Sequence, residues 1–251
     1  MKRVIEVSPA PRPHWVGDGF PVRSLFSYAT HGEPLSPFLL LDHAGPREFA
    51  PAKQPRGVGE HPHRGFETVT IVYQGEVAHR DSTGQGGIIG PGDVQWMTAG
   101  AGILHEEFHS EAFTRQGGML EMVQLWVNLP AKDKLTPPRY QAIRSEQIPA
   151  VALPAGAGTV RVIAGSYDGH AGPAQTHSPM EVWDVRLQTG AQVVLPVQAG
   201  WNTALIVLQG TVELAGDTIA RPGQLVQLDH GDGGIAIESN NEAILKRAAG
   251  R

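Results

Sequence analysis

His61 and His63 stand two residues apart, and so do His105 and Glu107. On a β-strand alternate side chains share a face, so each pair can aim two groups at one point. Three neutral imidazoles and a carboxylate suit a divalent transition metal and leave coordination positions for a ligand. A metal with such positions supports chemistry on what binds there. Taken alone, His61-Pro62-His63 is a weak signal, equally readable as two exposed histidines near a loop, with Pro62 at a strand start or edge. The second pair, beyond the Pro91-Gly92 turn, adds weight, because two convergent pairs on neighbouring strands are hard to explain as a hydrogen-bonded core. The carboxylate is ambiguous. Glu107 is in phase with His105, while Glu67 is in phase with His63 if that strand is unbroken; Glu60 and Glu106 are out of phase. Spacing does not choose between Glu67 and Glu107, and the one that is not a ligand is a candidate to orient an imidazole from outside the ligand set.

The elements that must position these residues read as short strands. Glycine (31) and proline (20) are abundant and spread along the chain rather than concentrated in a linker. With short apolar runs between them, they indicate an all-β barrel or sandwich. Phe38–Leu41, Thr68–Tyr73, Val94–Thr98, Ile103–His105 and Gln124–Leu129 are strand candidates, and Glu76–His79 is the expected hairpin partner of Thr68–Tyr73 across Gln74-Gly75. Within Val94–Thr98, Gln95 and Met97 share one face and Trp96 and Thr98 the other; one face must line the barrel. Pro130 to Pro149 reads as a polar connector, with the boundary placed there: residues 1–135 as a metal-binding barrel and 136–251 as a second barrel.

The second half repeats the plan. Ala204–Leu214 parallels Thr68–Val77 around its Gln209-Gly210 turn, and Pro222-Gly223 parallels Pro91-Gly92. Superposing the turns puts His61 on Pro196, His63 on Gln198, Glu67 on Asn202, His105 on Ala236 and Glu107 on Glu238. The scaffold repeats and the histidines do not, so two tandem barrels with a single metal site are expected. The remaining histidines, His14, His31, His43, His79, His109, His170, His177 and His230, read as surface or turn residues, with His109 a candidate for the pocket rim by its parity with His105 and Glu107.

Bulk properties narrow the function. The formal charge of -5 argues against sequence-independent nucleic-acid binding. No apolar run reaches the length of a membrane span, and the N-terminus lacks the apolar stretch of a secretory signal, so a cytoplasmic location is the default expectation. The absence of cysteine removes thiolate ligands, iron–sulfur clusters and cysteine nucleophiles. Gly84-Gln85-Gly86-Gly87 does not match a phosphate cradle, and no G-x-S-x-G elbow occurs.

His61-Pro62-His63-Arg64-Gly65-Phe66-Glu67-Thr68, followed by Gly92 to Glu107, resembles the pirin family of bicupins. Gly17 to Arg23, Asp42 and Gln124 to Pro130 match as well; the likeness is dense over about residues 15 to 140 and thin beyond. It implies two tandem cupin, jelly-roll-like barrels, with a metal held by His61, His63, His105 and Glu107, and leaves Glu67 as the outer partner. It implies Fe(II) as the metal, with Mn, Ni, Co, Cu or Zn also accommodated. Some relatives resemble quercetinases. By that likeness the substrate is a small flavonol-like aromatic, opened by O2, with Glu107 as ligand and general base. Other relatives act as metal- and redox-dependent regulatory partners of proteins, a non-enzymatic alternative; a cupin isomerase or binder with a redox-silent metal is a third. Many relatives carry a further C-terminal segment with Gly-Glu-Pro and Gly-Pro-Phe elements, whereas this sequence stops soon after Leu245-Lys246-Arg247.

Overall fold

The computed structural model describes residues 1–241 and 243–250. The chain forms two compact units, each built from a seven-stranded and a four-stranded antiparallel sheet. The all-β, tandem-cupin expectation holds, and no helix among the described residues is long and apolar enough to cross a membrane.

The first barrel comprises Arg12–Ser27 and Phe38–Gln147. Its larger sheet runs His14–Val16, Phe20–Ser27, Phe38–Phe49, Gly118–Asn128, Phe66–Gln74, Val94–Thr98, Arg139–Ile143. Its smaller sheet runs Gly57–His63, Ile103–His109, Val77–Asp81, Gly86–Ile89. Each strand alternates between the barrel interior and the opposite face, and the inward residues change character along the strand. Leu120 and Met122 give way to Gln124, Val72 to Thr70, and Val77 to His79 and Asp81. One end of the interior is therefore an apolar plug that includes Phe20, Val72, Val77, Ile89, Phe113 and Leu120. The other end is polar. The plug is closed by the short helix Glu111–Gln116, whose N-cap Ser110 accepts from Phe113 N at 3.0 Å.

The second barrel comprises Met1–Pro11, Tyr28–Pro37 and Ile148–Arg251. Its sheets repeat the seven-plus-four plan, and the two turns used to detect the repeat are conformationally matched. Gly75 and Gly210 have φ of 82° and 79°, and Gly92 and Gly223 have 86° and 78°. All four lie in the left-handed region, which only glycine enters at little cost.

Three expectations are corrected. The units part at Gln147/Ile148 rather than at 135/136, and the first eleven residues belong to the second barrel, because Val4–Ser8 pairs with Leu225–Leu228. The stretch read as a connector contains strand Arg139–Ile143, which pairs along Val94–Thr98 as a sheet edge. Phe66–Gln74 and Val77–Asp81 do not form a hairpin. Phe66–Gln74 pairs with Gly118–Asn128 and Val94–Thr98, and the chain crosses at Gly75 to the other sheet, where Val77–Asp81 pairs with Ile103–His109.

The second barrel is filled by a single apolar cluster that includes Leu195, Val197, Ile235 and Ile237. The buried pair Leu195–Ile235 occupies the cross-strand row that His61–His105 occupies in the first barrel. Superposing the turns was thus one residue out of phase: Pro196, Ala236 and Glu238 point away from the interior. The conclusion that the ligand positions are not repeated is unaffected, and both groups of metal-capable side chains found among the described residues lie in the first barrel.

One buried charge in the second barrel gives a stability prediction. Lys246 is fully buried across from Asp184, and burial pulls its pKa down to about 7, with Asp184 opposing the shift and Arg161 adding to it. Asp184 keeps Arg161 at 3.4 Å and Arg186 at 3.9 Å without it. Lys246 Nζ has no hydrogen-bond partner, so Lys246→Met is expected to stabilise the fold at pH 7. The unfolded chain holds the lysine proton up to a pKa of about 10.5 and the folded chain only to about 7. Stability of the parent thus rises with pH between these values, and the gain from methionine shrinks toward alkaline pH. Urea unfolding at pH 7 and 10 checks both the sign and the trend.

Candidate metal centre

His61 and His63 lie on Gly57–His63, and His105 and Glu107 on Ile103–His109, directly paired with it. His61 is the cross-strand partner of His105, and a bulge beyond that pair brings Val58 opposite Glu107. The bulge leaves Glu60 facing away while the histidines keep their common face. The three imidazole rings stand 4.3 to 4.8 Å apart, centre to centre. One ligand nitrogen from each falls within 4.8 Å of the others.

The hydrogen bonds free one nitrogen on each of two rings. His61 Nδ1 lies 2.8 Å from Gly59 O and donates to it, leaving Nε2 with its lone pair. His105 Nε2 is buried and has no hydrogen-bond partner. A buried nitrogen of this kind is costly unless something else occupies its lone pair, and a cation is the group that fits. Burial pushes the pKa of His63 and of His105 down to about 3, and neighbouring imidazoles add to each shift. Both rings are neutral at physiological pH, the form that binds metal.

Glu107 is buried beside His105. Its Oε1 accepts from Gln95 Nε2 at 3.2 Å and Thr70 Oγ at 3.3 Å, and its Oε2 from Gln124 Nε2 at 3.0 Å. By distance it groups with His105 and His79 rather than with the three-histidine set. It shares with His61 and His63 the wall of a cavity of about 470 Å³. That volume is in the range of small-molecule sites, about 300–1,000 Å³. Phe20, Val22, Leu40, Met122 and Trp126 make the cavity mostly apolar, and Asp42 and Ser24 add a polar patch. Burial raises the Asp42 carboxyl pKa, with Ser24 and His14 opposing.

Glu67 does not join the cluster. The strand breaks at Arg64-Gly65, where Gly65 turns with φ of 77°, so the phase from His63 is not carried through. Glu67 instead lies on the face opposite Thr70, where it accepts from Thr98 Oγ at 2.7 Å. Gln95 and Met97 form the face that lines the interior. His109 is not at the rim; it is buried in the plug, donates to Gly19 O at 2.9 Å and packs against Phe20, Phe49 and Phe113. His43 and His79 are buried as well, against the surface reading. His43 pairs with Glu121 at 3.1 Å.

His79 is the residue that sequence reasoning missed. It stands 3.2 Å from His105, Nδ1 to Nδ1, and its Nε2 is 3.2 Å from Asp81 Oδ2. His79 and Asp81 are themselves an i, i+2 pair on the next strand, so three adjacent strands each direct such a pair inward. The spacing that singled out the other two pairs also marks this one.

The family model described as Pirin matches residues 19–127. A Pseudomonas aeruginosa protein named "Putative quercetin 2,3-dioxygenase" is 61% identical over 98% of this chain and 85% of its own length. The chain belongs to the pirin family. Human pirin is 38% identical over 82% of the chain and 68% of its own length. A crystal structure of quercetin 2,3-dioxygenase from Acinetobacter baumannii superposes with a TM-score of 0.98 at 49% identity, covering all of this chain and 87% of that one. As a pirin, the chain has a fold and a His/Glu cluster that fit a divalent metal site.

Proposed function

We propose that this pirin is a metal-dependent dioxygenase that opens the ring of a flavonol-like substrate with O2. His61, His63, His105 and Glu107 would hold the metal; the nitrogen-and-oxygen donor set suits several divalent ions, and the pirin likeness makes Fe(II) the first expectation. When bound, the metal would supply Lewis acidity toward an acidic hydroxyl and redox contact with O2. The observation that carries this reading is the apolar cavity whose wall includes His61, His63 and Glu107. An aromatic substrate loses apolar surface to Phe20, Val22, Leu40 and Trp126. Its acidic hydroxyl is then directed to the polar end of the cavity. Glu107 Oε2 accepts one hydrogen bond there against two at Oε1, and so keeps one lone pair, which would take the hydroxyl proton only once Glu107 lets go of the cation. Gln124 holds that oxygen in place, and the apolar wall keeps water from the ionised substrate. The names of the Pseudomonas and Acinetobacter proteins support the substrate class.

The reading is tested with quercetin in an oxygen electrode. Turnover with one O2 consumed per quercetin, abolished under anaerobic conditions, is expected. Equal turnover with and without O2 would refute it.

A further inference from the structure

The ring nitrogens of His105 have unequal surroundings. Nε2 faces the other two histidines without a hydrogen-bond partner, and Nδ1 faces His79. Which nitrogen carries the proton decides whether His105 can ligate. The surrounding hydrogen bonds settle it, starting from Asp81. Asp81 Oδ1 accepts from Thr83 N at 2.8 Å, Thr83 Oγ at 2.6 Å and Gln85 N at 3.2 Å. A carboxylate held by three donors is an acceptor at its other oxygen too, so the contact at Oδ2 requires His79 Nε2 to donate. An amide nitrogen only donates, so the approach of Gln95 Nε2 to His79 Nδ1 requires a lone pair at that nitrogen. Gln95 Nε2 approaches that lone pair at 3.4 Å and His105 Nδ1 at 3.2 Å. Gln95 is itself oriented, because its Oε1 accepts from Tyr140 Oη at 3.3 Å, and Tyr140 stacks on His79 with ring centres 5.0 Å apart at 14°. His105 must therefore donate from Nδ1.

We propose that the Asp81–His79 pair is the positioning element of the metal centre: it keeps the His105 proton on Nδ1 and so presents a bare Nε2 to the cation. The pair resembles the carboxylate–histidine supports that orient metal ligands, lengthened by one imidazole. The inference rests on the three-histidine centre proposed above and is independent of the dioxygenase reading.

The test is Asp81→Asn in the full chain. Asparagine keeps an oxygen for the Thr83 and Gln85 donors but turns an amide N–H toward His79 Nε2. His79 must then carry its proton on Nδ1 and donate to His105, whose proton moves to Nε2 and has to be displaced before the metal binds. Cobalt(II) titration of the metal-stripped protein should show a 10–100-fold loss of affinity, the usual cost of losing such a support. His79→Gln, whose amide oxygen can still accept from His105, should retain most of the affinity. Nitrogen-15 NMR of the metal-stripped parent should show His105 protonated on Nδ1. Unchanged cobalt affinity in Asp81→Asn, equal losses in both variants, or a parent His105 protonated on Nε2 would overturn the inference. So would two cobalt ions per chain, which would make His79 and His105 Nδ1 ligands themselves. A parent that binds no cobalt would overturn the centre as well, whereas a parent that binds it with Asp81→Asn unaffected would overturn this inference alone.

Discussion

Replacing His105 with alanine is expected to weaken metal binding by more than about 100-fold, beyond the range typical of outer partners. This corresponds to at least about 2.8 kcal/mol, at 1.4 kcal/mol per tenfold. His105 is the central ring of the three: it lies 4.3 Å from His61 and 4.7 Å from His63, centre to centre. It is also the link to the His79–Asp81 pair. Without it, two histidines remain on one strand, and His79 Nδ1 keeps only the Gln95 amide facing it. The metal-free fold should survive, because the apolar plug around Phe49, Phe113 and Leu120 is untouched. Metal analysis after dialysis, together with thermal unfolding of the stripped protein, separates loss of the site from loss of the fold. Retention of metal at parental affinity would contradict the assignment of His105 as a ligand.

The second large effect lies in the other barrel. Arg247 is fully buried, donates from Nη2 to Glu181 Oε2 at 2.6 Å, and sits 3.8 Å over the Trp183 ring. Its Nε and Nη1 have no hydrogen-bond partners, so Glu181 is its main electrostatic support. A guanidinium does not shed its proton in a protein. Glu181→Ala therefore leaves an unpaired charge in the interior, expected to cost about 3–5 kcal/mol. For a chain of this size that lowers the melting temperature by roughly 6–20 °C. Adding Arg247→Met removes the orphaned charge and is expected to recover most of the loss, because buried ion pairs are commonly replaceable by apolar groups. Urea denaturation followed by tryptophan fluorescence measures both variants. A loss below about 1 kcal/mol in Glu181→Ala would mean that water or another group already supports Arg247. Metal content should not change in either variant, since the ligands lie in the first barrel.

The parts of this structure that were readable in advance are those set by local geometry. The i, i+2 spacing placed His61, His63 and His105 on common faces, and the glycine turns at Gly75 and Gly210 exposed the repeat. Pairing between distant strands was not readable. Nothing local says that Val4–Ser8 joins the second barrel, or that the chain leaves one sheet for the other at Gly75. The break at Gly65 turns Glu67 away from the histidine cluster, yet in the sequence it is one glycine inside a plausible strand. The register of the second barrel slipped by one because turn residues fix where strands begin but not the bulges within them, and a one-residue slip reverses which face points inward. His79 was passed over although its spacing to Asp81 matches the ligand pairs, because a lone histidine is ordinarily exposed and its partner across the sheet is visible only in three dimensions.

The most direct test is crystallographic: load the protein with one equivalent of Fe(II), or with cobalt(II) where oxidation interferes, and locate the ion by anomalous scattering. One ion bound by His61 Nε2, His105 Nε2, His63 and the Glu107 carboxylate is the expected result. An ion held instead among His79, His105 and Glu107, or no ion anywhere in the first barrel, would contradict the centre on which the proposed function stands.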